Sequence, residues 1–151
     1  MKAVIQRVSE ASVTVDGAVV SRIGEGMLVF LGVAQGDDEK DADVLSQKIA
    51  YLRIFEDDNG RMNRSLLDIG GEMLVVSQFT LLANCVHGRR PDFFSAEKPD
   101  RANELYLYFC ERIKTHGIPD VGQGVFGADM QVALENSGPV TILLDSKELK
   151  K

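Results

Sequence analysis

The stretch "GMLVFLGVA" at residues 26–34 is a continuous apolar run. A short run of this kind is typical of a strand that is buried on both faces, which places it near the centre of a sheet. A second apolar run, "EMLVVSQFTLLA" at residues 72–83, predicts another strong strand. We therefore expect the domain to be built outward from these two strands.

The residues before the central strand predict a strand and a hairpin. Apolar and polar side chains alternate over residues 4–9, as they do in a half-buried strand. The stretch "SVTVDGAVVS" at residues 12–21 has Asp16-Gly17 between two β-branched runs, which is a strong two-residue turn signal. The N-terminal part of the chain is thus expected to contribute antiparallel strands.

Two amphipathic helices are expected to cover the sheet. The first begins after an Asp37 or Asp38 cap, and the second runs from Pro99 or Asp100 to about Thr115. Their apolar positions have helical spacing and are Ala42, Leu45, Ile49 and Leu52 in the first, and Ala102, Leu105, Phe109 and Ile113 in the second. Residues 53–71 predict a short strand, a turn and a loop, and residues 84–98 a long polar loop.

The C-terminal part predicts two or three strands. In "ENSGPVTILLDS" at residues 135–146, we interpret Gly138-Pro139 as punctuation just ahead of a strand at 140–144, because proline cannot donate to a ladder. The tail after about residue 146 is expected to be flexible. The predicted fold is a single α/β domain over residues 1–151, a mixed β-sheet or open barrel with two main covering helices.

Composition excludes several classes of function. The formal charge of -6 argues against broad binding to nucleic-acid phosphates, which needs a basic face. No apolar run is long enough to span a membrane and the N-terminus has no signal-type core, so we expect a cytoplasmic protein. Cys85 and Cys110 are expected to be free thiols. The sequence contains no residue pattern with the spacing of a metal-binding or cofactor-binding motif.

The candidate site lies where polar residues interrupt a buried run. Ser77, Gln78 and Thr80 either mark a strand end at the surface, or line a pocket whose hydroxyl and backbone N–H groups stabilise an oxyanion. His87 and His116 are the two histidines, and neither belongs to a readable catalytic triad. Composition alone leaves the surface and the pocket interpretations open.

Two motifs give the chain a specific resemblance. They are "SQFTL" at 77–81 and "SGPVTI" at 137–142, accompanied by "VIQRV" at 4–8, "GRRPDF" at 88–93, "ANELY" at 102–106 and "FGADM" at 126–130. In these stretches the chain resembles the D-aminoacyl-tRNA deacylases, also called D-tyrosyl-tRNA deacylases, over essentially its whole length. It departs from the family at Arg89 and Asp92, where the loop usually has Asn and Ser, and at Ser137, where Asp is common.

The resemblance implies a hydrolase that cleaves the ester of D-aminoacyl-tRNA without a cofactor. Glycyl-tRNA is expected to be cleaved as well, because a filter that only rejects an L side chain has nothing to reject in glycine. The resemblance also implies a homodimer that binds the 3′ end of aminoacyl-tRNA, with Ser77, Gln78, Phe79 and Thr80 of one subunit facing a cis Gly138-Pro139 of the other. The carbonyls of this pair would reject an L side chain. Phe126 and Met130 match positions at the pocket for the terminal adenosine, and Arg7 matches an arginine that supports the Gly-Pro backbone.

The chemistry of the ester cleavage stays open at this point. Backbone N–H groups near Phe79 and Thr80 are candidates for the oxyanion, and the ribose 2′-OH for assistance. The Thr80 hydroxyl is the alternative nucleophile, although no neighbouring base is visible in the sequence. Two other functions remain as alternatives, namely a general small-ester hydrolase and a non-catalytic nucleic-acid-binding dimer, and a steep loss of affinity with salt would identify the latter.

Overall fold

The structure is a computed structural model and describes residues 1–150. Its sheet is organised around β1 (Lys2–Val15), because β2 (Ala18–Ile23), β3 (Gly26–Gly32) and β8 (Gln131–Asp145) all pair with it in antiparallel fashion. Asp16 and Gly17, with φ of 50° and 79°, form the predicted hairpin turn between β1 and β2. The long first strand therefore joins both halves of the sheet.

The sheet is mixed and curls towards closure. β6 (Glu72–Ser77) pairs in parallel with the central β3, and β7 (Val121–Gln123) pairs in parallel with β6. A Cβ on Gly122 of β7 would lie 2.5 Å from Ser21 Oγ of β2, so these two strands come close. The result is a nearly closed barrel of mixed strands, which confirms the predicted fold class. Outside this barrel, β4 (Phe55–Glu56) and β5 (Met62–Arg64) form a separate small hairpin.

Two helices cover the main core. Helix α1 (Glu39–Ala50) begins at Asp38, whose side chain forms a capping box with Asp41, and α3 (Pro99–Thr115) begins with proline at its first position. The predicted stripes of both helices are buried against the sheet, except that Leu52 follows the end of α1 and is half-buried. No helix within residues 1–150 is long and apolar enough to cross a membrane.

Two local predictions around β6 differ from the structure. The second apolar run leaves β6 after Ser77 and continues as the 3-10 helix Phe79–Leu82. The expected loop before β6 contains helix α2 (Leu66–Ile69), which has a Ser65–Asp68 capping box and Gly70 in the left-handed region. The cap and the glycine of α2 are readable in the sequence, whereas the 3-10 helix has no side-chain cap that could have indicated it.

The C-terminal segment also differs from the expectation. Residues expected to be flexible form helix α4 (Ser146–Leu149), in which Ser146 is fully buried. The Ser146 hydroxyl donates to Asp41 Oδ1 at 2.7 Å, and Lys150 Nζ lies 2.9 Å from the same oxygen. The tail therefore packs against α1 through the buried carboxylate of Asp41. A search for apolar periodicity does not detect a polar contact of this kind.

Candidate active site

A deep concave site lies at the end of β6. A cavity of about 610 Å³ opens between this strand end, the start of α3 and the segment before β8. Its walls are mainly apolar, and they include Ser77, Gln78, Phe79, Phe126 and Met130 among the predicted site residues. Five of the nine predicted positions therefore share one pocket in a single chain.

The turn after β6 is fixed by its contact with β3. The Gln78 N–H donates to the Leu31 carbonyl oxygen at 2.8 Å, which continues the parallel ladder for one residue. A Cβ on Gly32 would lie 3.0 Å from the Gln78 carbonyl oxygen and 2.7 Å from Leu82 Cδ2. Glycine at this position thus leaves the space that the 3-10 helix occupies, and this space sets where the pocket wall stands.

The first N–H groups of this 3-10 helix are available to a ligand. Phe79 and Thr80 begin the helix, where a helix has no acceptor of its own for its N–H groups. No acceptor within residues 1–150 takes that place. Because both residues are exposed beside the pocket, their N–H groups are suited to an oxygen that carries developing negative charge.

Thr80 has an amide as its side-chain neighbour. The Gln78 Nε2 amide donates to the Thr80 hydroxyl oxygen, and no histidine or carboxylate within residues 1–150 bonds to that hydroxyl. A carboxamide cannot accept the proton of a hydroxyl as a general base would. The described geometry therefore positions the Thr80 oxygen without activating it.

Aromatic side chains form two walls of the pocket. The Phe79 ring meets Phe93 edge to face with centroids 5.1 Å apart, and Phe126 lies 6.3 Å from Tyr106. The Tyr106 hydroxyl donates to the Val75 carbonyl oxygen at 2.7 Å, and burial raises the pKa of this tyrosine far above its ordinary value. Tyr106 thus stays neutral and supports the wall behind Phe126.

The Gly138-Pro139 pair lies in a bulge inside β8. In the pairing with β1, Gln6 faces Thr141 and Val8 faces Asn136, so residues 137–140 lie opposite Arg7 alone. The expected position ahead of a strand is therefore wrong, since β8 runs on both sides of the pair. The Gly138-Pro139 bond is cis, as the resemblance implied, and Gly138 has φ 128°, in the region that favours glycine.

Arg7 supports this bulge from the sheet side. It is 8% exposed, its Nε donates to the Ser137 carbonyl oxygen at 3.0 Å, and its Nη1 donates to the Ile54 carbonyl oxygen at 2.7 Å. On the other side, Gly138 and Pro139 are exposed. The bulge is thus held by the buried Arg7 on the sheet side, and its backbone is exposed on the opposite side.

The predicted residues fall into two groups within one chain. Gly138, Pro139 and Arg7 do not line the cavity at the end of β6, and Thr80 lies beside it. Phe93, Glu97 and Lys98 do line it, although they were not predicted as site residues. Their signal was the length of the polar loop at 84–98, because long loops without regular structure are often functional.

Comparisons with known proteins agree on one family. The family model described as D-Tyr-tRNA(Tyr) deacylase matches residues 4–145. The D-aminoacyl-tRNA deacylase of Syntrophus aciditrophicus is 59% identical over 99% of both chains, and that of Roseiflexus castenholzii is 62% identical over 97% of this chain and 92% of its own. The shared sequence therefore spans both the β6 pocket and the Gly-Pro bulge.

Solved structures have the same fold. A chain described as "c-Myc DNA Unwinding Element Binding Protein" superposes with a TM-score of 0.90 at 45% identity, covering 96% of this chain and 98% of its own. A probable eukaryotic D-amino acid tRNA deacylase superposes with a TM-score of 0.80 at 19% identity, covering 95% and 98%, which concerns the fold alone.

Proposed function

The chain belongs to the D-aminoacyl-tRNA deacylase family and is a hydrolase of D-aminoacyl-tRNA. We propose that it selects its substrate by rejecting L-amino acids, and that the Gly138-Pro139 bulge of a second subunit carries out this rejection. The observation that carries the hydrolase activity is the match to deacylases at 56–62% identity over nearly the whole chain. The selection step and the dimer rest on the arrangement of the two site regions described above.

The proposed filter consists of backbone atoms. Gly138 has no side chain that could shield its own carbonyl oxygen, and both Gly138 and Pro139 are exposed. Placed against the β6 pocket of a partner, these carbonyls meet the substrate's α-carbon on the side where an L side chain would project. A D side chain points elsewhere, so the filter does not need to read its identity.

A second subunit accounts for the separation of the two regions. In one chain the bulge lies outside the pocket that contains Ser77, Gln78 and Phe79. A twofold dimer that brings each bulge to the partner's pocket would complete two identical sites, because a twofold interface uses the same two patches twice.

The hydrolysis asks little of the side chains. An aminoacyl ester is already activated, so the pocket needs to place water and stabilise the oxyanion. The free N–H groups of Phe79 and Thr80 supply that stabilisation, and the ribose 2′-OH beside the ester assists the attack. Thr80 is then held by the Gln78 amide and does not act as nucleophile.

The direct test compares D- and L-tyrosyl-tRNA. The full chain should release D-tyrosine and leave the L-ester at the rate of its spontaneous hydrolysis, as measured by loss of radiolabelled amino acid from tRNA. Equal cleavage of both esters would remove the filter but leave an esterase. Absence of cleavage of either ester would overturn the assigned activity.

A mixing experiment tests the shared site. Ala128→Trp fills the pocket and Gly138→Ala alters the bulge, so each variant alone should be nearly inactive. Subunit exchange between them gives heterodimers with one intact composite site, and the mixture should regain about a quarter of wild-type activity. If the mixture stays as inactive as its components, each site lies within one chain.

A second candidate function is binding to duplex DNA, because the protein that superposes with a TM-score of 0.90 is named for binding a DNA unwinding element. The charge of -6 opposes it, since duplex binding needs many contacts from Lys and Arg to phosphates. Titration of a labelled DNA duplex and of tRNA at several salt concentrations decides between them. A tighter complex with the duplex, with a steep salt dependence, would favour the second candidate.

A further inference from the structure

Three cationic side chains without an acidic partner lie in the segment between the 3-10 helix and α3, and one of them, Lys98, lines the pocket. Arg89, Arg90 and Lys98 are exposed, and none of them forms an ion pair within residues 1–150. Arg7, Arg64, Arg101 and Arg112 each face a carboxylate, whereas Arg22 on β2 and Lys48 on α1 are unpaired among the described residues, like these three cations. In a chain with a net charge of -6, the adjacent Arg89 and Arg90 form a small positive spot, although Asp92 and Glu97 carry the opposite charge in the same stretch.

The backbone holds this segment against the pocket. We call residues 84–94 the arginine loop. Its two ends are joined because Asn84 and Asp92 exchange backbone hydrogen bonds of 2.8 and 2.9 Å. Phe93 then packs on Phe79 in the pocket wall, and Lys98 lines the pocket itself. The arginines therefore lie at the tip of a loop whose base is held against the pocket wall.

An exposed aromatic ring accompanies the cations. Phe94 is 83% exposed, the highest value among the exposed large hydrophobic residues of the described chain. Its carbonyl oxygen accepts from Gln35 Nε2 at 2.8 Å, and the Ser95 carbonyl accepts from the Gln35 N–H at 2.8 Å, so the ring extends from a fixed backbone. An exposed ring beside unpaired cations is the combination that single-stranded nucleic acids use, through base stacking and phosphate contacts.

We propose that the arginine loop and Lys98 bind the single-stranded RNA that immediately precedes the terminal adenosine of the substrate. Lys98 contacts the phosphate that joins the last two nucleotides, Phe94 stacks on an upstream base, and Arg89 and Arg90 contact upstream phosphates. The inference rests on the proposed function only in that the tRNA 3′ end enters the β6 pocket.

Charge decides in favour of RNA over a second subunit. The rest of this protein is acidic, so another copy offers acids to the arginines but no anionic chain aligned along the loop into the pocket. RNA offers one phosphate per nucleotide along that path. The loop would thus add affinity for tRNA and leave the chemistry at the ester unchanged.

The test uses two substrates that differ in the RNA they carry. For Arg89→Ala/Arg90→Ala, KM for D-tyrosyl-tRNA should rise with kcat unchanged, and the slope of log(kcat/KM) against log salt should become shallower by about 1.4. Phe94→Ala should raise the same KM by about 5- to 150-fold. Both variants should cleave D-tyrosyl-adenosine, which lacks upstream RNA, like the wild type.

The control removes equal charge elsewhere. Arg22→Ala/Lys48→Ala deletes two exposed cations, on β2 and α1, that form no ion pair within residues 1–150, and it should leave both substrates unaffected. Filter binding of uncharged tRNA repeats the comparison without catalysis, so it tests the loop even if the ester is not hydrolysed. Equal effects on both substrates, no effect on tRNA, or conversion of a wild-type dimer to monomers by Phe94→Ala would each overturn the proposal.

Discussion

The β6 pocket and the Gly-Pro bulge are built in opposite ways. The walls of the pocket come from one chain, where the end of β6, the 3-10 helix, the start of α3 and the segment before β8 lie beside free N–H groups. The bulge has its fixed contacts on the sheet side, through Arg7, and exposed backbone on the other. The pocket can stabilise charge without help, whereas the bulge can act only against something brought to it.

The largest effect is expected from Gly138→Ala. A Cβ there would lie 2.8 Å from Arg7 Nη2 and 2.9 Å from Val140 Cγ2, at a φ of 128° that L side chains rarely adopt. The bulge must move, and a displacement of this scale at a positioning group costs about 100-fold in kcat/KM for D-tyrosyl-tRNA.

Gly17→Ala is the matched control for this variant. Gly17 also has positive φ, 79°, but a Cβ there meets nothing within 4 Å and lies in the β1–β2 turn. It should lose some stability and keep its activity. If Gly138→Ala also retains wild-type kcat/KM and discrimination, the bulge is not part of the site.

Arg7→Lys tests the support beneath the bulge. Lysine keeps the charge but cannot reach the carbonyl oxygens of Ser137 and Ile54 at once, as the guanidinium does. We expect the ratio of D- to L-tyrosyl-tRNA cleavage to fall by about tenfold, the scale of one charge-assisted hydrogen bond. An unchanged ratio with reduced stability would make Arg7 purely structural.

Asp41→Asn separates stability from selection. Asp41 is 2% exposed; burial alone would raise its pKa, but hydrogen bonds from Asp38, Lys150 and Ser146 lower this pKa far below its ordinary value. A lowered folded pKa contributes stability above the unfolded pKa of about 3.9, and this contribution is lost as pH falls towards the folded value. At neutral pH the variant should lose about 1–3 kcal/mol.

Urea unfolding from pH 7 to pH 2 checks this expectation. The gap between the wild type and Asp41→Asn should shrink below about pH 4. The D-to-L ratio should stay at the wild-type value, since Asp41 contacts neither site region. A changed ratio would mean that loss of stability alone perturbs selection, which would weaken the conclusion from Arg7→Lys.

The same contrast explains what the sequence predicted. Apolar periodicity located the strands and both covering helices, because these elements bury one face and their boundaries follow it. The bulge was not predicted because a Gly-Pro pair has the sequence signature of a turn. Only the pairing of Gln6 and Val8 with β8 shows that Gly138-Pro139 lies within a strand. Phe93 and Lys98 were not predicted as site residues because they reach the pocket from a loop, and a loop has no periodic pattern of apolar residues.

Thr80→Ala should have a small effect. Its hydroxyl has the Gln78 amide as partner and no base, so removing it leaves the N–H groups of Phe79 and Thr80 in place. We expect kcat for D-tyrosyl-tRNA to fall by less than about tenfold. A drop beyond about a thousandfold in a folded protein, the scale of a lost catalytic group, would restore Thr80 as the nucleophile.

The smallest expected difference lies between glycyl- and D-alanyl-tRNA. A filter that rejects an L side chain by clash with the Gly138-Pro139 carbonyls has nothing to reject in glycine, which has hydrogen at both positions. A site that instead bound the D side chain would distinguish D-alanine from glycine only weakly, since a methylene-scale contact is worth about 1–3 kcal/mol. Such binding would also conflict with accepting many D-amino acids. Deacylation of glycyl-, D-alanyl- and L-alanyl-tRNA under one set of conditions should therefore show cleavage of the first two at similar rates and survival of the third. If glycyl-tRNA is as inert as L-alanyl-tRNA, the site selects by binding the D side chain, and the bulge is not a filter of the kind proposed.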